Sequence, residues 1–584
     1  MMAFGMCPEI EAEDTVWRFV GLQAKNRKEW YLTYMGAMYQ RITTVGLYDT
    51  LGPDSTKFII DQTQMSTMMM SKEYIKKMIQ LKLDEDKSEG MMSTLAHIVS
   101  FDNEYTEEEK ELAEQAGITL YTFEQVIFKG REAKKAGGTT INEPTPDDCV
   151  TFSYTSGTTG NPKGVKLTHK MLVSTSYGAN TRLGAGTEPL SEKDTYISYL
   201  PSAHSFEQCI FGIAILYGTR TGCFGGNVLK LTEDMQILKP TFMPSVPRLL
   251  NRIYGKIKDN MDQASGLKGW LVKKGVESKM ENVKETGSKT HALYDALIFK
   301  KTKAILGGNV RLIVTGSAPI SGSVLDFLKI AFCCDVMEGY GLTETTGGAF
   351  IVYSGDKETG IVGGPCQSFK IKLKDIPDMN YLSTDKPPRG EICFWGPGVM
   401  QGYFKNPEKT AESFDGEWFR SGDVGVIQDN MSVKIIDRAK NIFKLSQGEY
   451  IAPEKLENVY VKSPYVLQSW MYGDSLRDYI IGFIIVDPEA AQKYCKEKGV
   501  TLNDELYQDN DFKQAVLDDL VKMANENKFN SLEKPKQLLL IKDPWTVESD
   551  ILTPTLKLKR NIAKKVYEKE ILELYEMPPL VTKK

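Results

Sequence analysis

Short apolar runs alternate with longer amphipathic stretches from residue 16 to about residue 340. The runs predict strands at residues 16–22, 43–48, 96–101, 149–154, 195–200, 311–316 and 334–340. Between them, segments such as 71–82 and 323–332 carry apolar residues at helical spacing. Strands that alternate with helices favour an α/β fold with doubly wound, mostly parallel sheets. Ligands in such folds bind beyond the carboxyl ends of the strands.

The pattern changes twice along the rest of the chain. Proline and glycine cluster between residues 375 and 402, which predicts loops and short strands in a β-rich subdomain. A new series of strands and helices follows Asp437. We therefore predict a large N-terminal domain over 1–438 and a small C-terminal α+β domain over 439–584. The Lys- and Glu-rich segment 261–303 is typical of a solvated helical excursion.

The most informative loop follows the predicted strand 149–154 and reads YTSGTTGNPKGV. Its glycines let the backbone turn tightly and bring N–H groups close to an anion. Its hydroxyls and its lysine add further donors, so the loop has the chemistry of a phosphate cradle, although the Walker A spacing is absent. The groups concerned are Thr155, Ser156, Gly157, Thr158, Thr159, Gly160, Lys163 and Gly164.

Composition narrows the class of protein. The 584 residues are 41% hydrophobic and 26% charged, as in ordinary globular proteins. A net charge of −5 gives no electrostatic footprint for nucleic acid. The nine cysteines are scattered without a C-x-x-C pair, which favours neither a disulfide framework nor a zinc site. No apolar run is long enough for a transmembrane helix, and residues 211–216 predict a buried helix.

Several further motifs occur in one order along nearly the whole chain. Together with the glycine-rich loop they resemble the adenylate-forming superfamily, and most closely its long-chain fatty acyl-CoA synthetases. The motifs are LYDTLGP (47–53), YLPSAHSFE (199–207), GSAPIS (316–321), EGYGLTET (338–345), RSGDVG (420–425), FKLSQGEYIAPEKLE (443–457) and LTPTLKLKR (552–560). The resemblance implies the two-domain fold of that family, with a mobile C-terminal domain.

The EGYGLTET motif offers three side chains suited to MgATP. Tyr340 can stack on adenine, Thr343 can donate to a phosphate, and Glu344 can bind magnesium. Magnesium prefers few protein oxygens beside phosphate oxygens, so one carboxylate and one hydroxyl suffice. The resemblance makes Thr155 that hydroxyl partner. It also places Gly316 and Gly341 in the nucleotide site.

Two motifs nearer the C-terminus complete the implied adenylation site. Asp423 lies on a glycine-flanked turn where its carboxylate can accept both ribose hydroxyls, and Arg438 resembles a second ribose contact. Lys557 matches the family's catalytic lysine, although this sequence has T-L-K where the family has T-G-K. A cation that bridges the carboxylate and the α-phosphate offsets their repulsion in the transition state. Lys559 and Arg560 are close neighbours of Lys557.

The resemblance assigns the remaining site residues. Lys440 takes the hinge position, where a residue need only absorb a large change in φ and ψ. His204 resembles the residue that gates the acyl tunnel or positions the carboxylate, and a helix-capping role is the alternative. The pantetheine tunnel of coenzyme A is implied near Lys444, Gly448 and Glu449.

The implied activity is ATP-dependent conversion of long-chain fatty acids to acyl-CoA through an acyl-adenylate. Mg²⁺ is the implied cofactor, and ATP and coenzyme A are co-substrates. The resemblance further implies a cytoplasmic protein on the cytosolic face of a membrane such as the endoplasmic reticulum, peripherally bound, and it allows a homodimer. Nucleic acid is not an expected partner.

Other functions remain open at this stage. One is a different carboxylate-activating enzyme, such as an aryl- or medium-chain-CoA ligase or a peptide-synthetase adenylation domain. Another is a non-catalytic acyl- or nucleotide-binding relative. Family members usually carry further elements, and often a membrane anchor, before the equivalent of residues 16–22. We therefore expect one edge of the large domain to be uncovered.

Overall fold

The computed structural model describes residues 1–48, 52–84, 92–138, 141–155, 161–447, 449–553 and 556–580. The chain divides into two compact units. The first comprises Met1–Ile371 and Phe394–Arg420, and the second comprises Lys372–Cys393 and Ser421–Lys584. The chain passes between them within three strands, Lys370–Lys374, Arg389–Trp395 and Trp418–Ile427.

The first unit contains two seven-stranded sheets, and both are mostly parallel. One has the order Thr119–Thr122, His97–Ser100, Thr67–Met70, Phe19–Gln23, Thr43–Gly46, Cys149–Thr155 and Lys163–Thr168. Its last pair alone is antiparallel, and the other neighbours run parallel. The strand Thr67–Met70 is buried at every position, as expected where helices cover both faces of a sheet.

The second sheet carries the elements nearest the predicted nucleotide residues. Its order is Arg220–Cys223, Thr195–Ser198, Phe242–Ser245, Leu312–Thr315, Asp335–Tyr340, Phe350–Ile351 and Gly364–Pro365. The strands up to Asp335–Tyr340 run parallel, and the last two pairs are antiparallel. The predictions of a doubly wound α/β fold and of all seven strands are confirmed.

Helices connect these strands in the first unit. The amphipathic segments 71–82 and 323–332 form the helices Lys72–Leu83 and Gly322–Phe332. The other α-helices are Lys28–Met38, Pro53–Thr63, Glu107–Gln115, Phe123–Lys135, His169–Leu183, Ser205–Tyr217, Leu231–Leu238, Pro247–Asp262, Gly266–Thr286, Ala292–Tyr294, Lys300–Ile305 and Pro407–Glu412. Two short strands, Ile10–Ala12 and Thr15–Trp17, pair with each other in antiparallel fashion. The short strand Phe414–Asp415 pairs in the same way with the start of Trp418–Ile427.

The predicted helical excursion at 261–303 contains the long helix Gly266–Thr286. It is less solvated than predicted, because the Lys279 side chain is fully buried and forms an ion pair with Asp295. The prediction of a buried helix at 211–216 is also only half right. The helix Ser205–Tyr217 buries one face, and Ile215 and Leu216 on the other are 47% and 43% exposed.

The second unit is built around a three-stranded sheet. Its strands are Val466–Tyr472, Ile481–Val486 and Gln537–Ile541, the first pair antiparallel and the second parallel. The middle strand alternates between two cores, with Ile484 in one and Phe483 in the other. The helices of this unit are Pro453–Tyr460, Pro488–Lys498, Asn510–Glu526, Arg560–Val566 and Glu568–Glu576. Shorter strands lie at Val433–Arg438, Phe443–Lys444 and Tyr450–Ile451.

The division into two units reflects packing within one conformation. A domain boundary at 438/439 with a hinge near Lys440 is instead a statement about how the C-terminal domain moves, so that it stays a prediction. Within the described part of the chain, no helix combines the length and the apolarity that crossing a bilayer requires.

Candidate active site

The glycine-rich loop is bracketed by two strands that form a hairpin. Thr155 ends the strand Cys149–Thr155, and Lys163 begins the next strand directly opposite it. The Thr155 hydroxyl lies 3.5 Å from the Lys163 carbonyl oxygen. The predicted phosphate-binding residues Ser156, Gly157, Thr158, Thr159 and Gly160 lie outside the described residues. The hairpin therefore places both ends of the predicted cradle at one edge of the first sheet.

The EGYGLTET motif starts on a strand and continues into a tight turn. Tyr340 ends the strand Asp335–Tyr340, and Thr343 and Glu344 follow in a short 3₁₀ turn. Gly341 between them has no room for a side chain, because a Cβ atom there would lie 2.4 Å from the Gly347 backbone. The Tyr340 ring packs near Phe394, with ring centroids 6.3 Å apart.

Tyr403 links the two motifs, and the sequence analysis did not single it out. Its hydroxyl donates a hydrogen bond of 2.8 Å to Glu344 Oε1. Its ring lies under the Lys163 ammonium, 4.5 Å from the nitrogen to the ring centroid. Burial and the Glu344 charge raise the pKa of Tyr403, so that it stays protonated and keeps donating. Tyr403 thus contacts both predicted site residues, Lys163 through its ring and Glu344 through its hydroxyl.

Two buried polar atoms at the adjacent strand ends have no hydrogen-bond partner. They are Thr315 Oγ1 and Glu338 Oε2. Thr315 and Glu338 are register partners on parallel strands, and Gly316 and Tyr340 follow them closely. Burial raises the pKa of Glu338 to about 8. Because buried polar groups are normally paired, these atoms mark a place where a polar ligand can supply partners.

His204 caps a helix, which is the alternative that the sequence left open. Its Nδ1 accepts a hydrogen bond of 3.1 Å from the Phe206 N–H at the start of Ser205–Tyr217. Its ring also contacts Tyr48 edge-on, with centroids 6.4 Å apart. The cap fixes the orientation of the imidazole. A role of His204 towards the acyl group stays a prediction.

A buried polar network holds the segment before His204. Glu207 Oε1 accepts hydrogen bonds from Ser198, Tyr31 and Tyr196 at 2.6, 3.1 and 3.3 Å. The Asn26 amide donates to Ser198 and to the Leu200 carbonyl. Glu207 is fully buried, and this desolvation raises its pKa to about 8. The carboxyl group is therefore mostly neutral at pH 7.

We expect Glu207→Gln to stabilise the protein at pH 8 relative to the wild type and to change little at pH 5. The unfolded carboxyl group ionises near its ordinary pKa of 4.5, whereas the folded one ionises near 8. The unfolded state thus binds fewer protons in this window, and wild-type stability falls as pH rises through it. The difference is of the order of a few kcal/mol. Melting temperatures of both proteins from pH 5 to 8 test this, and parallel curves would contradict it.

In the second unit, Asp423 and Arg438 are direct register partners on antiparallel strands. Arg438 Nε lies 3.2 Å from Asp423 Oδ1, and the Asp423 side chain is 5% exposed. The two predicted ribose contacts are therefore adjacent. Lys440 lies two residues after Arg438 and is exposed.

The predicted coenzyme A residues lie in a small hairpin. Its strands are Phe443–Lys444 and Tyr450–Ile451, and the Lys444 ammonium lies 5.2 Å from the centroid of the Tyr450 ring. The Glu449 carbonyl accepts a hydrogen bond from the Leu445 N–H at 2.9 Å. Gly448 lies outside the described residues. Lys444 and Glu449 are exposed, and their role towards coenzyme A stays a prediction.

Lys557 lies in a short loop that is closed by two hydrogen bonds between Lys557 and Thr553. The Thr553 N–H donates to the Lys557 carbonyl at 2.7 Å, and the Lys557 N–H donates to the Thr553 hydroxyl at 3.0 Å. Leu552 and Leu558 pair as an antiparallel bridge. Pro554 and Thr555 of the motif lie outside the described residues.

Leu556 occupies the glycine position of the family's T-G-K motif, and its φ of +63° lies in the left-handed region. A branched side chain is strained there, whereas glycine is not. We expect Leu556→Gly to stabilise the protein by up to about 1 kcal/mol, because the side chain is 46% exposed and loses little packing. Denaturation of both proteins tests this. Leu556→Ala is the control, since alanine keeps the strain, and equal gains for both variants would contradict the explanation.

Comparisons with known proteins identify the family of this chain. A profile of the AMP-binding enzyme family matches residues 10–404. Long-chain-fatty-acid–CoA ligase 5 of Rattus norvegicus is 39% identical over 561 residues, which cover 96% of this chain and 80% of the relative. Fatty acyl-CoA synthetase A of Dictyostelium discoideum is 38% identical over 563 residues, 95% of this chain and 81% of the relative.

Solved structures show the same fold. The adenylation domain of the carboxylate reductase from Mycobacterium chelonae superposes with a TM-score of 0.77 at 24% identity, over 96% of this chain and 80% of that one. The corresponding domain from Segniliparus rugosus, in complex with AMP and a carboxylic acid, gives 0.76 at 24% identity, over 98% and 85%.

Proposed function

This chain belongs to the AMP-binding enzyme family, and we propose that it activates long-chain fatty acids as coenzyme A thioesters. The observation that carries the proposal is the 36–39% identity to long-chain-fatty-acid–CoA ligases over about 96% of the chain. An aryl- or medium-chain ligase and a non-catalytic relative are not favoured, because these relatives are named as long-chain ligases.

The chemistry takes two steps, because a carboxylate has a poor leaving group and its charge repels nucleophiles. In the first step a carboxylate oxygen attacks the α-phosphorus of ATP, and pyrophosphate leaves with the electrons of the broken P–O bond. In the second step the thiol of coenzyme A attacks the acyl carbon, loses its proton and displaces AMP. One difficult substitution is thus split into two easier ones.

The residues of the first unit are suited to the triphosphate and the adenine. Thr155 and Lys163 offer a hydroxyl and an ammonium beside the glycine-rich loop. Tyr340 ends its strand beside Gly316 and Gly341, and the unpaired Thr315 and Glu338 oxygens can form hydrogen bonds with a polar group of the nucleotide. In the second unit, Asp423 and Arg438 are suited to the ribose hydroxyls. Lys557 supplies the cation for adenylation.

The donors present fit a magnesium ion that is bound mainly by phosphate oxygens. Tyr403 holds one Glu344 oxygen, and a carboxylate held in this way can present its second oxygen to a hard cation. Within the described ranges, no three His, Cys, Asp or Glu side chains cluster as a metal site made of protein ligands alone. Glu344 and Thr155 would hold the ion. Bound Mg²⁺ supplies charge neutralisation on the phosphates.

Three finer proposals follow from family membership. The C-terminal domain rotates about Lys440 between the two steps, and the hairpin with Lys444, Gly448 and Glu449 then receives pantetheine. His204 positions the carboxylate at the entrance of the acyl tunnel. The enzyme works at the cytosolic face of a membrane such as the endoplasmic reticulum, bound peripherally, with a homodimer as its assembly.

The test is turnover of fatty acids from four to twenty carbons by the purified protein with MgATP and coenzyme A, followed as AMP and acyl-CoA. Each buried methylene contributes about 0.8 kcal/mol, so that a long tunnel favours long chains. We expect kcat/KM to peak at twelve carbons or longer. A peak at short or aromatic acids, or binding of ATP without turnover, would contradict the proposal.

A further inference from the structure

A partly buried ion pair joins two C-terminal motifs that are distant from each other in the sequence. Arg560 Nη1 and Nη2 donate to Glu457 Oε1 and Oε2 at 2.8 and 2.6 Å. The side chains are 18% and 12% exposed. A guanidinium that binds both oxygens of one carboxylate fixes distance and direction together. This two-pronged pair ties LTPTLKLKR to FKLSQGEYIAPEKLE.

The Glu457 end of the pair is rigid. Glu457 lies in the helix Pro453–Tyr460, and its Oε1 also accepts the Met471 N–H at 2.8 Å. Leu456 and Tyr460 of the same helix are fully buried in the core. The helix that carries Glu457 is therefore anchored in the core, and the Met471 N–H orients its carboxylate towards Arg560.

The Arg560 end lies three residues after Lys557 and begins the helix Arg560–Val566. On its other side, the lysine loop is anchored by Ile551 and Leu552, which are buried in the same core as Trp470 and Phe483. The loop is thus fastened at both ends, by apolar packing before Lys557 and by the ion pair after it.

Further charges face Arg560 from the neighbouring elements. Asp437 and Glu454 contribute to the negative potential around the guanidinium, and Glu457 contributes most. Asp437 Oδ2 accepts the Glu454 N–H at 2.9 Å, which ties the strand Val433–Arg438 to the same helix. Arg560 is consequently a cation that faces three carboxyl groups beside the loop, those of Glu457, Glu454 and Asp437.

We propose that Arg560, clamped by Glu457, is a positioning residue that holds the Lys557 loop in the geometry required for adenylation. The inference rests on the proposed function, because Lys557 has work to do only if an acyl-adenylate is formed. Arg560 itself touches no substrate in this proposal. Its effect is confined to the half-reaction that uses Lys557.

The two half-reactions distinguish positioning from simple stability. Pyrophosphate release from MgATP and fatty acid reports adenylation, and acyl-CoA formation from synthetic acyl-AMP reports the thioester step. Both are measured on one preparation, so that their ratio does not depend on how much of the protein is folded. A misplacement of about 1 Å can cost on the order of 10²-fold in rate.

The variants are Arg560→Gln, Arg560→Lys and Glu457→Gln. Arg560→Gln is expected to lower adenylation by about 10- to 100-fold and to leave the thioester step within about twofold. Arg560→Lys keeps the charge but loses the two-pronged contact, and its ratio falls between those of the wild type and Arg560→Gln. Glu457→Gln shifts the ratio in the same direction. Lys559→Gln is the matched control, because Lys559 pairs with the exposed Asp550, and its ratio is expected to stay unchanged.

The activity of the wild-type protein distinguishes failure of the proposed function from failure of the positioning role. If the wild-type protein forms no acyl-adenylate from any fatty acid, the proposed function is wrong. If the wild type is active and Arg560→Gln and Arg560→Lys lose both half-reactions equally, or lose neither, the positioning role is wrong.

Discussion

Replacement of Lys557 by alanine is expected to lower the rate of acyl-adenylate formation by about 10²–10³-fold and to leave thioester formation from acyl-AMP nearly unchanged. Both the attacking carboxylate and the α-phosphate are anionic, and the ammonium is the group that offsets their repulsion. The thioester step starts from a neutral acyl carbon and has no such need. Pyrophosphate release and acyl-CoA formation from synthetic acyl-AMP measure the two effects separately.

The neighbouring Lys559 provides the control for this result. Lys559→Ala removes a cation two residues away that pairs with Asp550, and it is expected to leave both half-reactions intact. Equal loss of both half-reactions in Lys557→Ala would show that the residue has a structural role. A loss in Lys559→Ala alone would move the catalytic assignment to that residue.

Replacement of Glu344 by glutamine is expected to lower adenylation by about 10²-fold or more and to raise the Mg²⁺ concentration required for half-maximal rate. The amide has the shape of the carboxylate without its charge, so that it binds a hard cation poorly. Mg²⁺ titrations of pyrophosphate release test this directly.

Tyr403→Phe separates the charge of Glu344 from its orientation. The variant keeps the carboxylate and removes the 2.8 Å hydrogen bond to it. Its Mg²⁺ requirement is expected to rise by about tenfold, since residues that orient a ligand contribute less than the ligand itself. If the Mg²⁺ requirement of Glu344→Gln equals that of the wild type, the assignment of Glu344 as a magnesium ligand is wrong.

The sheets of the first unit were predictable because their signal is local. Runs such as CVTFSY and RLIVTG are rich in apolar and β-branched residues without a polar alternation, as expected for strands covered on both faces. The position of the glycine-rich loop follows from the same strands. The division into units was not predictable in this way, because the chain crosses between units inside strands whose local pattern does not change.

The site residues that could not be predicted from the sequence act through contacts with partners that are distant along the chain. Tyr403 is 59 residues from Glu344, and Arg560 is 103 residues from Glu457. Nothing in the flanking sequence of either residue marks a partner at such a separation. Glu207, by contrast, lies within a recognised motif, and only its complete burial reveals a carboxyl group that is mostly neutral at pH 7.

The most direct test of the central claim follows the carboxylate oxygen. Incubation of the enzyme with MgATP, coenzyme A and a fatty acid labelled with oxygen-18 at both carboxyl oxygens leaves the label on the phosphate of AMP if an acyl-adenylate forms. We predict one labelled oxygen in AMP and none in pyrophosphate, measured by mass spectrometry. Label in pyrophosphate, or AMP without label, would contradict activation through an acyl-adenylate.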